Sequence, residues 1–128
     1  GIPVVKHTQH KEWIPEMIFS NLKAGSNFND EEQRTGAGTN GVGSTLTNIY
    51  SKEFTVTTCD GANHFTQTFS NNMRKRTAPK TKKSTKGFTE IKYLVDFEKF
   101  ALTGIDEDHF KMIEKRVYDI AACNTGLK

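Results

Sequence analysis

Gly36-Ala37-Gly38-Thr39-Asn40-Gly41-Val42-Gly43-Ser44 is the stretch on which the reading of this chain turns. Its glycines let consecutive backbone N–H groups turn toward one point, a concavity that suits an anion. A short helix expected over Ser44 to Tyr50 adds unpaired first-turn N–H groups and the positive end of its dipole. Together these features describe a phosphate site. The loop is not a Walker A motif, because no Gly-Lys-Ser/Thr follows at the required spacing. Gly36-x-Gly38-x-x-Gly41 has the letters of a dinucleotide fingerprint, but the preceding Asn29-Asp30-Glu31-Glu32-Gln33-Arg34 is no strand. Taken alone, such a cluster also reads as a surface loop, and both readings stay open at this point.

Upstream of the loop, Trp13 to Ala24 reads as a helix. Pro15 sits in its first turn, and Ile14, Ile18 and Leu22 recur every four residues with Met17 beside them. Ile2 to Val5 is a short apolar run with the look of a strand end. Downstream, Glu53 to Cys59 and Phe65 to Ser70 read as two strands around a turn at Asp60-Gly61, and Gly87 to Val95 as a third. Met73 to Lys86 reads as a basic, structureless stretch. Asp106 to Cys123 reads as an amphipathic helix with Asp106 as N-cap and Phe110, Ile113, Val117, Ile120 and Ala121 as its apolar stripe. Tyr50, Tyr93 and Tyr118 sit in apolar patterns and read as core. The order of elements points to an α+β fold, a two-layer sandwich of helices on a mostly antiparallel sheet.

The bulk properties exclude several classes. A chain of 128 residues is one domain long, and its formal net charge of +3 is compatible with a nucleic-acid partner without demonstrating one. Cys59 and Cys123 form no CxxC pair and read as reduced thiols. His7, His10, His64 and His109 join them at no metal-site spacing, so no metal ligand is expected among them. No apolar run approaches the roughly 20 residues that span a membrane, and no signal segment opens the chain. Gly1-Ile2-Pro3-Val4-Val5 reads like the interior of a domain rather than its start.

Three separated segments, read together, carry a resemblance: Gly1 to Val5; Ile14-Pro15-Glu16-Met17-Ile18-Phe19 with Ala24-Gly25-Ser26-Asn27-Phe28; and Gly38 to Gly43 with Leu46-Thr47-Asn48-Ile49-Tyr50-Ser51. In this order and spacing they resemble the ATPase domain of type IIA DNA topoisomerases, members of the wider class that includes gyrase, histidine kinases and MutL. Phe65 to Met73, Gly87 to Ile91 and Arg116 to Ala121 resemble later strands and the closing helix of the same domain. The resemblance covers nearly the whole chain.

That resemblance implies the Bergerat ATP-binding fold with its N-terminal part lying before Gly1. It implies a partial ATP-binding domain over 1–128, with a lid at 29–45, a basic loop at 73–86 and a closing helix at 106–123. By position, Gly1 matches the last glycine of the family's adenine motif. Ile2, Pro3 and Ile18 would line the adenine pocket, and Ser26 and Asn27 would approach the ribose and phosphates. Gly38, Thr39, Asn40, Gly41, Val42, Gly43, Ser44 and Thr45 would wrap the triphosphate. Thr89, matching a buried threonine of the family, would bind near the adenine edge. The cofactors implied are ATP and Mg2+, with the metal ligand, the catalytic glutamate and the adenine-reading aspartate all expected before Gly1. No catalytic residue is expected in the chain itself, and the chain alone is expected not to hydrolyse ATP. Glu16, Asp30, Glu31 and Glu32 read as solvated carboxylates rather than substitutes.

Two departures stand out. Eukaryotic members carry an arginine where this chain has Thr39 and a lysine where it has Thr45, so those charges are missing while the backbone nest is kept. The wording from Asn40 to Asn48 looks closer to phage large subunits, which points to a viral or otherwise divergent source. An intracellular location, nucleus or cytoplasm, is expected. So is a homodimer through the ATP-binding domain of the full-length protein.

Arg74, Lys75, Arg76, Lys80, Lys82, Lys83 and Lys86 crowd one segment. They read either as a contact to the backbone of double-stranded DNA or as a solvated loop. No aromatic side chains interleave them, which argues against single-strand stacking. The alternative to an enzyme part is a non-catalytic module that binds DNA or a protein partner.

Overall fold

The computed structural model describes residues 1–24, 38 and 40–126. Its elements are α1 (Ile14–Ser20), α2 (Gly43–Ile49), β1 (Ser51–Cys59), β2 (Asn63–Ser70), β3 (Lys75–Arg76), β4 (Lys80–Lys83), β5 (Phe88–Val95), a 3-10 turn at Phe97–Phe100 and α3 (Glu107–Cys123). The chain divides into two compact units, Gly1–Asp96 and the part from Phe97 onward.

In the first unit the strands form one antiparallel sheet in the order β3-β2-β1-β5, with β4 also paired to β2. The β1–β2 register runs from Glu53↔Ser70 to Cys59↔His64. Because successive side chains alternate across a strand, this register fixes two faces. Phe54, Val56 and Thr58 of β1 and Phe65, Gln67 and Phe69 of β2 are buried on the inner face. Thr55, Thr57, Thr66 and Thr68 lie half-buried on the outer one. The core joins the inner-face residues to Val4 and Phe19, with Ile2, Trp13, Ile18, Met73 and Ile91 packed around them. Full burial of each phenylalanine contributes about 1.5–3 kcal/mol, so Phe54, Phe65 and Phe69 dominate this small core.

The hairpin turn is held by one side chain. Asp60 Oδ1 accepts from the N–H groups of Ala62 (2.9 Å) and Asn63 (2.8 Å), while Oδ2 accepts from Val4 N–H (2.9 Å). These backbone hydrogen bonds, Asn63 first, then Val4 and Ala62, lower the Asp60 pKa to about 2. The carboxylate thereby pins the N-terminal segment to the β1–β2 turn.

Several sequence expectations are corrected. The 73–86 segment is not structureless. β3 and β4 both pair with β2, because β2 would otherwise leave a row of unpaired backbone groups at the sheet edge. Ile2 to Val5 forms no strand, although Lys6 bridges to Trp13. The first helix ends at Ser20 rather than Ala24, and it buries Pro15, Glu16 and Phe19 instead of the Ile14/Ile18/Leu22 stripe. Leu22 is exposed. Glu16 is no solvated carboxylate. It accepts from Gln67 Nε2 (3.0 Å) and pairs with Arg76 (3.2 Å), which ties α1 to β2 and β3. Tyr50, Tyr93 and Tyr118 are exposed rather than core.

In the second unit, Asp106 caps α3 as expected, accepting from His109 N–H at 2.8 Å. That bond and the His109 ring hold its carboxyl below the usual range. Lys111–Glu107 and Lys115–Asp119 pair one turn apart along the helix. The apolar residues Phe110, Ile113, Val117 and Ile120 are exposed.

Candidate functional site

The short helix α1 leaves C-terminal carbonyls that its own backbone cannot satisfy. α2 satisfies them with side chains. Ser44 Oγ donates to the Ile18 carbonyl (3.2 Å), Thr45 Oγ1 to the Asn21 carbonyl (2.9 Å), and Asn48 Nδ2 to the Phe19 carbonyl (2.9 Å). Thr45 and Asn48 are fully buried in this contact. Just ahead of α2, the Lys23 N–H donates to the Gly41 carbonyl (2.9 Å). Gly41 has a φ of +61°, which favours glycine there. The end of α1 and the start of α2 are therefore locked together.

This lock decides what the loop can offer a ligand. The hydroxyls of Ser44 and Thr45 are spent on α1, so these two residues face a ligand through their backbone. No side chain caps the first turn of α2. Asn40 and Gly43 are exposed, and Gly41 and Val42 are half-buried. Gly38 is exposed. Ser26, Asn27 and Thr39 lie outside the described residues.

A second group gathers at the end of the β1–β5 ladder. Thr58 and Thr89 are direct partners across the two strands, with their hydroxyls 2.8 Å apart. Thr58 Oγ1 also accepts from Ile2 N–H (3.0 Å) and donates to the Phe88 carbonyl (3.0 Å). A hydroxyl has one hydrogen, and Thr58 gives its own to Phe88. Thr89 is then the donor to Thr58, and its lone pairs are left to accept from outside. Thr89 is exposed in this chain. Gly1 lies against the Cys59 and Phe88 carbonyls, where a Cβ would clash with backbone. A close approach of this kind requires glycine. The structure thus joins Ile2 to Thr89 through Thr58, a residue the sequence reading did not single out. Only the strand register brings it forward. Pro3 is exposed beside Ile2, and Ile18 is half-buried on α1.

A hollow of about 600 Å³ beside α1 is lined by His7, His10, Glu12, Met17, Asn21 and Lys23 among others, and includes none of the nucleotide candidates among the described residues. Among the described residues no group of three or more His, Cys, Asp or Glu could hold a metal ion. Cys59 is buried and Cys123 exposed, and both are free thiols. No helix among the described residues is long and apolar enough to cross a membrane.

The seven cations of the basic segment are divided by the sheet. Lys75 is opposite Ser70, Lys80 opposite Thr66 and Lys82 opposite His64, all on the outer face. Arg76 is opposite Phe69 and Lys83 opposite Asn63, on the inner face. Arg74 and Lys86 lie outside the strands and are exposed.

No family model matches the chain. It is 42% identical over 132 residues to DNA topoisomerase 2 of Bombyx mori, an alignment that takes in 100% of this chain and 8% of the relative. It is 41% identical over 124 residues to DNA topoisomerase 2 of Acanthamoeba polyphaga mimivirus, with 94% of this chain and 10% of that protein covered. Its fold superposes on the ATPase region of Saccharomyces cerevisiae topoisomerase II with a TM-score of 0.88 at 36% identity, over 94% of this chain and 33% of that one. The chain therefore spans about a tenth of the length of the curated relatives it matches. Within that span, the chain is homologous to a segment of the ATPase region of type II DNA topoisomerases.

Proposed function

We propose that this chain is part of the ATP-binding portion of an ATP-dependent type II DNA topoisomerase, an enzyme that changes DNA topology by passing one duplex through another. The observation that carries the reading is the pairing of two built features with end-to-end homology. One is the Ile2–Thr58–Thr89 hydrogen-bonded group behind Gly1, and the other is the Asn40–Thr45 backbone locked onto α1.

The residues fit a nucleotide. Thr89 presents hydroxyl lone pairs at an exposed position, which suits the exocyclic amine of adenine or a water bound to it. Ile2, Pro3 and Ile18 supply apolar surface for the base. Gly38 and Asn40 to Thr45, with Ser26, Asn27 and Thr39, would hold the triphosphate through backbone N–H groups and short polar side chains. Bound ATP would supply the free energy that drives the larger protein between its states. Mg2+ would be held, as the resemblance implies, by an asparagine outside these candidates. The full-length protein would act inside the cell, as a homodimer joined through this domain, on double-stranded DNA. The basic segment, Arg74 to Lys86, would contact that DNA.

Limited proteolysis tests the reading. A non-hydrolysable ATP analogue is expected to protect the 29–45 segment from cleavage. Equal cleavage with and without saturating analogue would refute nucleotide binding. Steady-state hydrolysis by the 128-residue chain is expected at the level of a buffer blank, because phosphoryl transfer rests on metal electrostatics and a positioned base. A rate well above the blank that disappears on mutating Asp30, Glu31 or Glu32 would overturn that part.

A further inference from the structure

The sheet of the first unit has one apolar face and one that is not. On the outer face, strand register places Thr55 opposite Thr68 and Thr57 opposite Thr66, with hydroxyls 2.9 and 3.0 Å apart. Lys80 continues the Thr57–Thr66 row across β4, and Lys82 continues the row of Cys59 and His64. Lys75 sits on the same face at β3, and Lys92 on β5 opposite Thr55. A shallow hollow of about 190 Å³ lies between His64, Thr66, Lys80 and Lys82. At a water's share of about 30 Å³, that is room for several waters or for one tetrahedral anion.

Four lysines, Lys75, Lys80, Lys82 and Lys92, share this face with two carboxylates, Glu53 opposite Ser70 and Glu90 opposite Thr57. Lys92 is paired with Glu90 at 3.1 Å. No carboxylate among the described residues lies within ion-pairing distance of Lys75, Lys80 or Lys82. The other cations of the segment are differently placed. Arg76 is engaged by Glu16, and Lys83 lies on the inner face near Val4 and Trp13. Covering the β1–β2–β4 part of the outer face with an apolar partner would bury lysines and threonines without compensation. A polyanion would instead exchange its counterions for these ammonium groups.

Resting on the reading that this protein acts on DNA, we propose that the outer face of the sheet docks the phosphate backbone of duplex DNA. Lys75, Lys80 and Lys82 make the contacts, with His64 beside them, while Arg76 and Lys83 take no part. The segment then works as a strand that presents alternate lysines, about 6.8 Å apart along one face, and the count of seven cations overstates its DNA contacts.

Lys82 and Lys83 are sequence neighbours of equal charge on opposite faces, so they give a matched test. Fluorescence anisotropy with a labelled 20-bp duplex, titrated with the 128-residue chain over a series of salt concentrations, yields the slope of log K against log salt. One phosphate contact contributes about 0.9 to that slope, or about eightfold in affinity at 0.1 M salt. Lys82→Gln is expected to lower the slope by about 0.9 and Lys80→Gln/Lys82→Gln by about 1.8, with Lys83→Gln unchanged. All three sites are exposed, and circular dichroism checks that the fold is kept. Equal losses from Lys82→Gln and Lys83→Gln would overturn the assignment of face while leaving DNA binding intact. An unchanged slope in the double variant would do the same. Absence of salt-dependent duplex binding by the parent chain would overturn both the docking surface and the DNA-binding reading beneath it.

Discussion

Thr45→Val isolates the lock between α1 and α2. The substitution keeps volume and β-branching and removes only the hydroxyl. Thr45 is fully buried, and its hydroxyl donates to the Asn21 carbonyl at 2.9 Å, with the Ile18 carbonyl a more distant partner at 3.4 Å. Ile18 keeps Ser44 as a donor, and Asn21 is exposed enough for water to reach its carbonyl. The loss should therefore approach the net worth of one hydrogen bond, about 1–1.5 kcal/mol, rather than the full penalty of a stranded buried carbonyl. With a urea m-value of about 1.5 kcal/mol/M, the unfolding midpoint is expected to fall by just under about 1 M. Trp13, the sole tryptophan, lies 6.3 Å from the Phe65 ring and reports on the core by its fluorescence. Thr47→Val is the control. Its hydroxyl bonds only the Gly43 carbonyl within α2 itself, so a loss under about 0.5 kcal/mol is expected. A Thr45→Val midpoint equal to that of the parent chain, or one matched by Thr47→Val, would refute the claim that this hydroxyl holds the two helices together.

Two further perturbations test the rest of the fold. Phe65→Ala opens a cavity in the middle of the inner face, at a residue with no solvent exposure, and is expected to cost about 3–5 kcal/mol. A loss below about 1.5 kcal/mol in urea titration would mean that the sheet is not packed as described. Asp60 has a folded pKa of about 2 against an ordinary 3.8, so its contribution is present above about pH 4 and fades as pH falls toward 2. In Asp60→Asn the urea midpoint is expected below that of the parent at pH 7, with the two converging as pH falls through that window. Parallel midpoint curves from pH 5 to pH 2 would show that the three N–H bonds to this carboxylate do not stabilise the fold.

The parts of the fold legible in the sequence share a local cause. The β1–β2 hairpin is marked by Asp60-Gly61 between β-branched runs, and α3 by Asp106 ahead of a helical apolar period. The parts that were not legible depend on partners far along the chain. Glu16 reads as solvated because the positions one helical turn away, Glu12, Trp13, Phe19 and Ser20, offer it no cation. Gln67 and Arg76, which bury it, are 51 and 60 positions away. The stripe on α1 was misjudged for the same reason, since the sheet selects Phe19 and Glu16 rather than the Ile14/Ile18/Leu22 row. β4 is Lys-Thr-Lys-Lys, with little intrinsic preference for a strand, and it forms because β2 presents an open edge.

For the candidate site, the sequence supplied residue types and the register supplied their use. Ser44 and Thr45 follow a glycine loop and invite a phosphate reading of their hydroxyls, yet both hydroxyls turn back to cap α1. That arrangement gives the missing lysine at position 45 a physical sense. A buried threonine here holds the loop from behind, where a lysine would have to leave the α1–α2 interface to reach a phosphate. Binding by this loop would then depend on how rigidly its backbone is held more than on charge. On that argument Thr45→Val weakens nucleotide affinity along with stability, although its side chain would not touch the nucleotide, and an analogue affinity unchanged in Thr45→Val would separate the lock from the site.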